Sequence, residues 1–124
     1  MVIGIDFDGT CTTHDFPKIV KDIGAIPILK KLLEKNHKLI LFTMRSDEYL
    51  TDAVNWFKNN NIELYGIQTN PTQKQWTLSP KTYCQLYIDD AGLGLPLITN
   101  VDLSNSPYVD WDMVELMLID NQVL

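Results

Sequence analysis

Asp6-Phe7-Asp8-Gly9-Thr10 sets two carboxylates at alternate positions ahead of a glycine, and Asp89-Asp90 sets two more side by side late in the chain. Asp6 and Asp8 at this spacing are expected on the same side, with Gly9 letting the backbone turn sharply away. If all four carboxylates meet, they repel one another or hold protons, and a hard divalent cation with oxygen ligands relieves both problems. Magnesium fits such a set. Arg45 is the only arginine among ten basic residues and lies two positions beyond Thr43. A guanidinium binds phosphate or carboxylate through two parallel hydrogen bonds, so the expected role is substrate contact rather than a surface pairing with Asp47 or Glu48.

These residues come together only if the chain between them builds a sheet with its strand ends on one side. Short continuous apolar runs at residues 2–6, 39–42, 64–67 and 86–88, with a brief fifth at 97–98, read as strands. Between them, Ile28, Leu29, Leu32 and Leu33 follow Pro27 with helical spacing, as do Leu50, Ala53, Val54 and Phe57 behind a cap at Ser46 or Asp47. Asp112 with Glu115 resembles a capping box for a last helix. Residues 68–80 are polar and bracketed by prolines, which predicts a surface loop. Strands alternating with helices predict an α/β fold: a Rossmann-like three-layer α/β/α sandwich whose mostly parallel sheet has about five strands. Ligands of such sheets sit beyond the carboxyl ends of the strands, where Asp6, Thr43 and Asp89 are expected.

Composition narrows the class. The chain has 124 residues, 16 acidic against 10 basic, and a formal charge of -6. This is one small domain over residues 1–124, and its acidity argues against tight nucleic-acid binding. The apolar start, Val2-Ile3-Gly4-Ile5, is cut by Asp6 and Asp8, so neither a secretory signal nor a membrane span is expected, and the cytoplasm is the default. Cys11 and Cys84 have no metal-ligand spacing and read as free thiols. Trp56 and Trp111 read as packing residues, and His37 as a turn residue.

Taken in order, these motifs resemble the haloacid dehalogenase superfamily of phosphohydrolases, and within it the small capless members of bacteria and phages. Asp6-Phe7-Asp8-Gly9-Thr10 resembles the first motif, Thr43 the second, Lys81 the third and Asp89-Asp90 the fourth. The resemblance implies that Asp6 is a nucleophile forming an aspartyl phosphate and Asp8 a general acid and base that also lends its carbonyl to the metal. It implies that Thr43 donates to a phosphoryl oxygen and that Lys81 neutralises charge on Asp6 and the transferring group. Asp6, Asp8, Asp89 and Asp90 would hold magnesium; which of Asp89 and Asp90 is nearer is left open. Gly9, Thr10 and Arg45 are expected at the substrate, with His14 in a flap over residues 11–18. Lys81 is preferred to Lys74 because Ser79-Pro80 predicts a helix start there.

Cap domains in this superfamily enter after the first motif or between the second and third. Only 33 positions separate Thr10 from Thr43 and 38 separate Thr43 from Lys81, which leaves room for no cap. The implied activity is magnesium-dependent phosphomonoester hydrolysis of a phosphorylated small molecule or a phosphorylated end of a larger one. The site would be open unless the flap, the 68–80 loop or a second subunit covers it, and a homo-oligomer is left open. Phosphoryl transfer to another acceptor and a silent metal-binding module are the alternatives. A signalling receiver domain uses similar residues in a different order.

Overall fold

Side chains alternate across a strand, and the first strand sets the layers of this molecule. The computed structural model describes residues 1–18 and 21–124. In β1 (Val2–Ile5), Ile3 and Ile5 are buried on one face while Gly4 faces the other. β1 pairs in parallel with β2 (Lys38–Leu41) and β4 (Leu86–Ile88), and β2 pairs in parallel with β3 (Gly66–Ile67). The order is β3-β2-β1-β4. The chain thus has an α/β fold of the Rossmann-like kind, without a cap domain among the described residues.

Right-handed crossovers from β1 to β2 and from β2 to β3 run in the same direction along the sheet, which puts their helices on one face. α1 (Ala25–Glu34) and α2 (Asp47–Asn59) occupy it, joined by α3 (Trp111–Asp120). Ile3, Ile5, Leu39, Leu41 and Ile88 from the sheet pack there with Ile28, Leu29 and Leu32 of α1, Phe57 of α2, and Trp111, Val114 and Leu118 of α3. Trp111 is a core residue as expected, and Trp56 packs edge-on against Phe7 and Phe57. α1 and α2 match their apolar spacing. α3 is capped by Asp110, whose side chain accepts from Met113 N at 3.1 Å, rather than by the expected Asp112.

Two expectations are corrected. The run at 97–98 is β5 (Leu97–Ile98), which pairs antiparallel with β6 (Tyr108–Val109) in a separate two-stranded sheet, so the parallel sheet has four strands. β5 is exposed and lacks the two-sided burial of an interior parallel strand. The second correction concerns the other face. The step from β3 to β4 reverses direction, and its crossover, residues 68–85, covers the Gly4 side with a single 3-10 turn (Gln73–Gln75) and extended chain instead of an α-helix. A Cβ on Gly4 would meet Tyr87 Cδ1 at 3.0 Å and Cys84 Sγ at 3.1 Å, so glycine permits this close covering.

Buried Gln73 replaces the bonds a helix would have made. Its amide nitrogen donates to the carbonyls of Ser79 and Lys81, at 3.1 and 2.6 Å, and its amide oxygen accepts from Tyr83 N at 2.7 Å. No helix begins at Lys81, because these bonds and a turn from Lys81 N to Ser79 Oγ fix the chain otherwise. Gln73→Leu leaves those backbone groups without partners and is expected to lower unfolding stability by about 3 kcal/mol. Urea unfolding checks this, and an unchanged midpoint would contradict it.

Candidate functional site

Reversal of crossover direction falls between β1 and β4, and in open parallel sheets that switch leaves a crevice beyond the carboxyl ends of the two strands. Asp6 leaves β1 at this point and Asp89-Asp90 leave β4. Asp6 N continues the ladder by donating to Ile88 O at 3.0 Å. One carboxylate oxygen from each of Asp6, Asp89 and Asp90 lies within 4.8 Å of the others.

The loop after β1 is fixed from several directions. Phe7 is buried against Trp56 and Phe57, and its carbonyl accepts from the amides of Thr10 and Cys11 at 3.1 and 2.7 Å. Gly9 has φ +79°, and a Cβ there would lie 2.4 Å from Asp90 Oδ2. Buried Thr10 donates its hydroxyl to Asp6 Oδ2 at 2.8 Å and accepts from Asp90 N at 3.0 Å, joining the two strand ends. Beneath it, Trp111 Nε1 donates to Thr10 O at 2.7 Å, and Val109 N donates to Gly9 O at 2.9 Å.

Burial makes this crowding severe. It pushes the Asp6 carboxyl up from its ordinary 3.8 to about 8; the Thr10 hydrogen bond opposes the rise, while the charge of Asp89 and the bond with Asp90 add to it. Asp90 is also raised, first by burial and then by its contact with Asp89, against the lowering effect of its bond with Asp6. Cys11 is buried beneath the loop, and burial together with the nearby acids pushes its thiol well above the ordinary range, so it is a packed thiol rather than a reactive one. Three carboxylates with hard oxygen donors and too little compensating charge fit a divalent cation such as magnesium. In that reading Asp6, Asp89 and Asp90 hold it, and its charge would return Asp6 to the carboxylate form.

Asp8 is not part of the cluster. Its two carboxylate oxygens accept from Arg45, Oδ2 from Nε at 2.8 Å and Oδ1 from Nη2 at 2.7 Å. The expected meeting of four carboxylates is corrected to three, because the fourth has its own counter-charge 37 positions away in sequence. Arg45 is corrected with it. The residue is 2% exposed, its remaining bonds go to the Tyr49 and Lys18 carbonyls at 3.2 and 3.4 Å, and it meets neither an open surface nor Asp47 or Glu48.

Gly9 and Thr10 likewise line no substrate surface. Gly9 N donates to Thr12 O at 2.9 Å, and the Thr10 hydroxyl is spent on Asp6 and Asp90. Thr43 lies two residues beyond the end of β2; its Oγ1 accepts from Arg45 N at 3.1 Å, which leaves its proton free to donate. Gln68, unforeseen in the sequence, holds it there: Oε1 accepts from Thr43 N at 2.9 Å and Nε2 donates to Thr43 O at 2.6 Å. The only local signal for Gln68 is an amide side chain directly after β3. The exposed Lys81 lines a groove of 340 Å³ with Trp76, Tyr83 and Tyr87, and its ammonium has no ion pair among the described residues. Its neighbour Thr82 bonds the Gln68 carbonyl, which ties that segment to the rim. His14 is exposed and lines a polar crevice of 220 Å³ with Thr13, Asp15 and residues 101–105. It lies near enough to Asp90 to oppose slightly the rise of that carboxyl.

No family model and no curated protein matches the chain. A solved structure, that of the conserved protein coded by a locus of Bacteroides thetaiotaomicron, aligns with a TM-score of 0.80 at 30% identity, covering 98% of this chain and 91% of that one. The chain belongs to that protein's family. The alignment takes in nearly the whole chain, so the two proteins share this fold. Among the described residues no helix is long and apolar enough to cross a membrane.

The charge balance sets a pH dependence. With Asp6 raised to about 8 in the fold and near 3.8 when unfolded, the folded chain retains a proton that the unfolded chain releases between those values. That stabilisation is fully present at low pH and is lost as pH rises toward 8. In a chelator the melting temperature is therefore expected to fall across this window, and a saturating divalent cation to flatten the slope. Equal slopes with and without cation would contradict the assignment. Gly9→Ala is expected to weaken cation binding by displacing Asp90, measured by calorimetric titration of Mn²⁺; unchanged affinity would count against the placement of Asp90.

Proposed function

We propose that this chain is a magnesium-dependent phosphomonoesterase of the haloacid dehalogenase type, acting through an aspartyl phosphate on Asp6. The observation that carries the reading is the convergence of Asp6, Asp89 and Asp90 at the switch point, with a Thr43 hydroxyl left free to donate just beyond neighbouring β2. Bound magnesium would supply positive charge for the phosphoryl oxygens.

An ionised Asp6 oxygen attacks phosphorus while the bond to the leaving oxygen breaks and Asp8 supplies that oxygen with a proton. Asp8 then takes a proton from water, whose oxygen attacks the phosphorus of the aspartyl phosphate, releasing phosphate and restoring Asp6. The two bonds from Arg45 leave each Asp8 oxygen a further lone pair for this work. Thr43 orients the phosphoryl group, and Lys81 is the cation assigned to its charge. Without a cap the mouth admits bulky esters, either a phosphorylated small molecule or a phosphorylated end of a larger one, in a cytoplasmic setting.

Purified protein assayed on an aryl phosphate and a panel of phosphometabolites is expected to turn over only with magnesium. Asp6→Asn should abolish turnover, and Asp8→Asn should lower it by about 10² to 10⁴. Folded protein inactive on every ester would contradict the reading, and phosphate held on Asp6 without release to water would point to transfer instead.

A further inference from the structure

We propose that Arg45 is a positioning residue that fixes the Asp8 carboxylate outside the cation cluster and couples its placement to the docked flap. One guanidinium makes both sets of contacts. Nε and Nη2 hold Asp8, Nη2 also reaches the Lys18 carbonyl in the flap, and Nη1 reaches the Tyr49 carbonyl in α2. The group lies between two rings, with Cζ 5.0 Å from the centroid of Phe7 and 5.1 Å from that of Phe16. Phe16 belongs to the flap and packs edge-on against Tyr49, with centroids 5.2 Å apart.

Asp8 needs such a hold because it lies two residues from Asp6, and a carboxylate there without a counter-charge would have the cation as its nearest partner. A buried guanidinium with two parallel bonds fixes both the position and the plane of the carboxylate, which an ammonium cannot do. The flap completes the enclosure: Phe16 covers the outer face of the guanidinium, and Lys18 takes one of its bonds. Lifting the flap uncovers Arg45, and loosening Arg45 from Asp8 removes an anchor of the flap. The two events favour each other reciprocally, as linked equilibria must. The consequence for turnover rests on the hydrolase reading; the coupling itself does not.

Two measurements separate these. Backbone hydrogen exchange over residues 11–18 is compared in wild type, Arg45→Lys, Asp8→Asn and Phe16→Leu, with the β1 and β2 amides as the control for folding. The expected result is roughly tenfold faster exchange in the flap for each variant with the sheet unchanged. Phe16 is half exposed, so its variant remains informative if a change at Arg45 unfolds the chain. Unchanged flap exchange in a folded variant overturns the proposal.

On any ester that wild type hydrolyses, Arg45→Lys should lower kcat by about 10²-fold with KM held, and should add nothing in the Asp8→Asn background. A raised KM with kcat held, or full additivity with Asp8→Asn, overturns it. A wild type inactive on all esters defeats the hydrolase reading alone, and flap exchange then still decides whether Arg45 couples the flap to Asp8.

Discussion

Three carboxylates held close at the carboxyl ends of adjacent parallel strands are the constraint around which this small fold is arranged. Asp6 ends β1 and Asp89-Asp90 end β4, so pairing of those strands brings the charges together whether or not a counter-ion is present. Each local feature of the loop serves that placement. Thr10 bridges the two strand ends, Gly9 gives up its side chain to the Asp90 carboxylate, and Trp111 fixes the Thr10 backbone from the core. Burial takes the Asp6 carboxylate out of water, and the charge of Asp89 and the bond with Asp90 add to that cost, which is why Asp6 holds its proton so far above the ordinary range.

Asp8 shows the opposite solution within the same loop. Only two residues from Asp6, it is compensated in full by a buried guanidinium, and the pair is enclosed by aromatic rings. A charged pair out of water is favourable only with excellent geometry and satisfied bonds, and Arg45 meets that condition with all three of its nitrogens. The loop therefore lies between one set of carboxylates that crowd one another and one carboxylate that has its own counter-charge. A net charge of -6 offers no general attraction for an anion, so in the proposed function capture of a phosphate ester falls to local groups.

Much of the frame was readable because parallel strands buried on both faces must be short apolar runs, and the acids that end them break those runs abruptly. The four strands of the sheet, α1, α2 and the meeting of Asp6 with Asp89 and Asp90 follow from that pattern. The pairing of Asp8 with Arg45 was not readable. It joins residues 37 positions apart through the relative placement of a loop and a helix start, and alternation along a strand says nothing once the chain has turned at Phe7. The irregular crossover escaped for a related reason: Gln73 substitutes for helical bonds across eight to ten residues, and a glutamine in a polar loop carries no mark of that role. β6 has only two residues, too few for any period to show. For α3, Asp110 and Asp112 offered two caps of equal chemistry, and only the position of Trp111 in the core decides between them.

Anomalous scattering from crystals grown with Mn²⁺ in place of magnesium tests the central claim most directly. The account predicts one strong peak bounded by the carboxylates of Asp6, Asp89 and Asp90, with Asp8 still on Arg45. A peak elsewhere, or an Asp8 side chain turned away from Arg45 onto the metal, would contradict it.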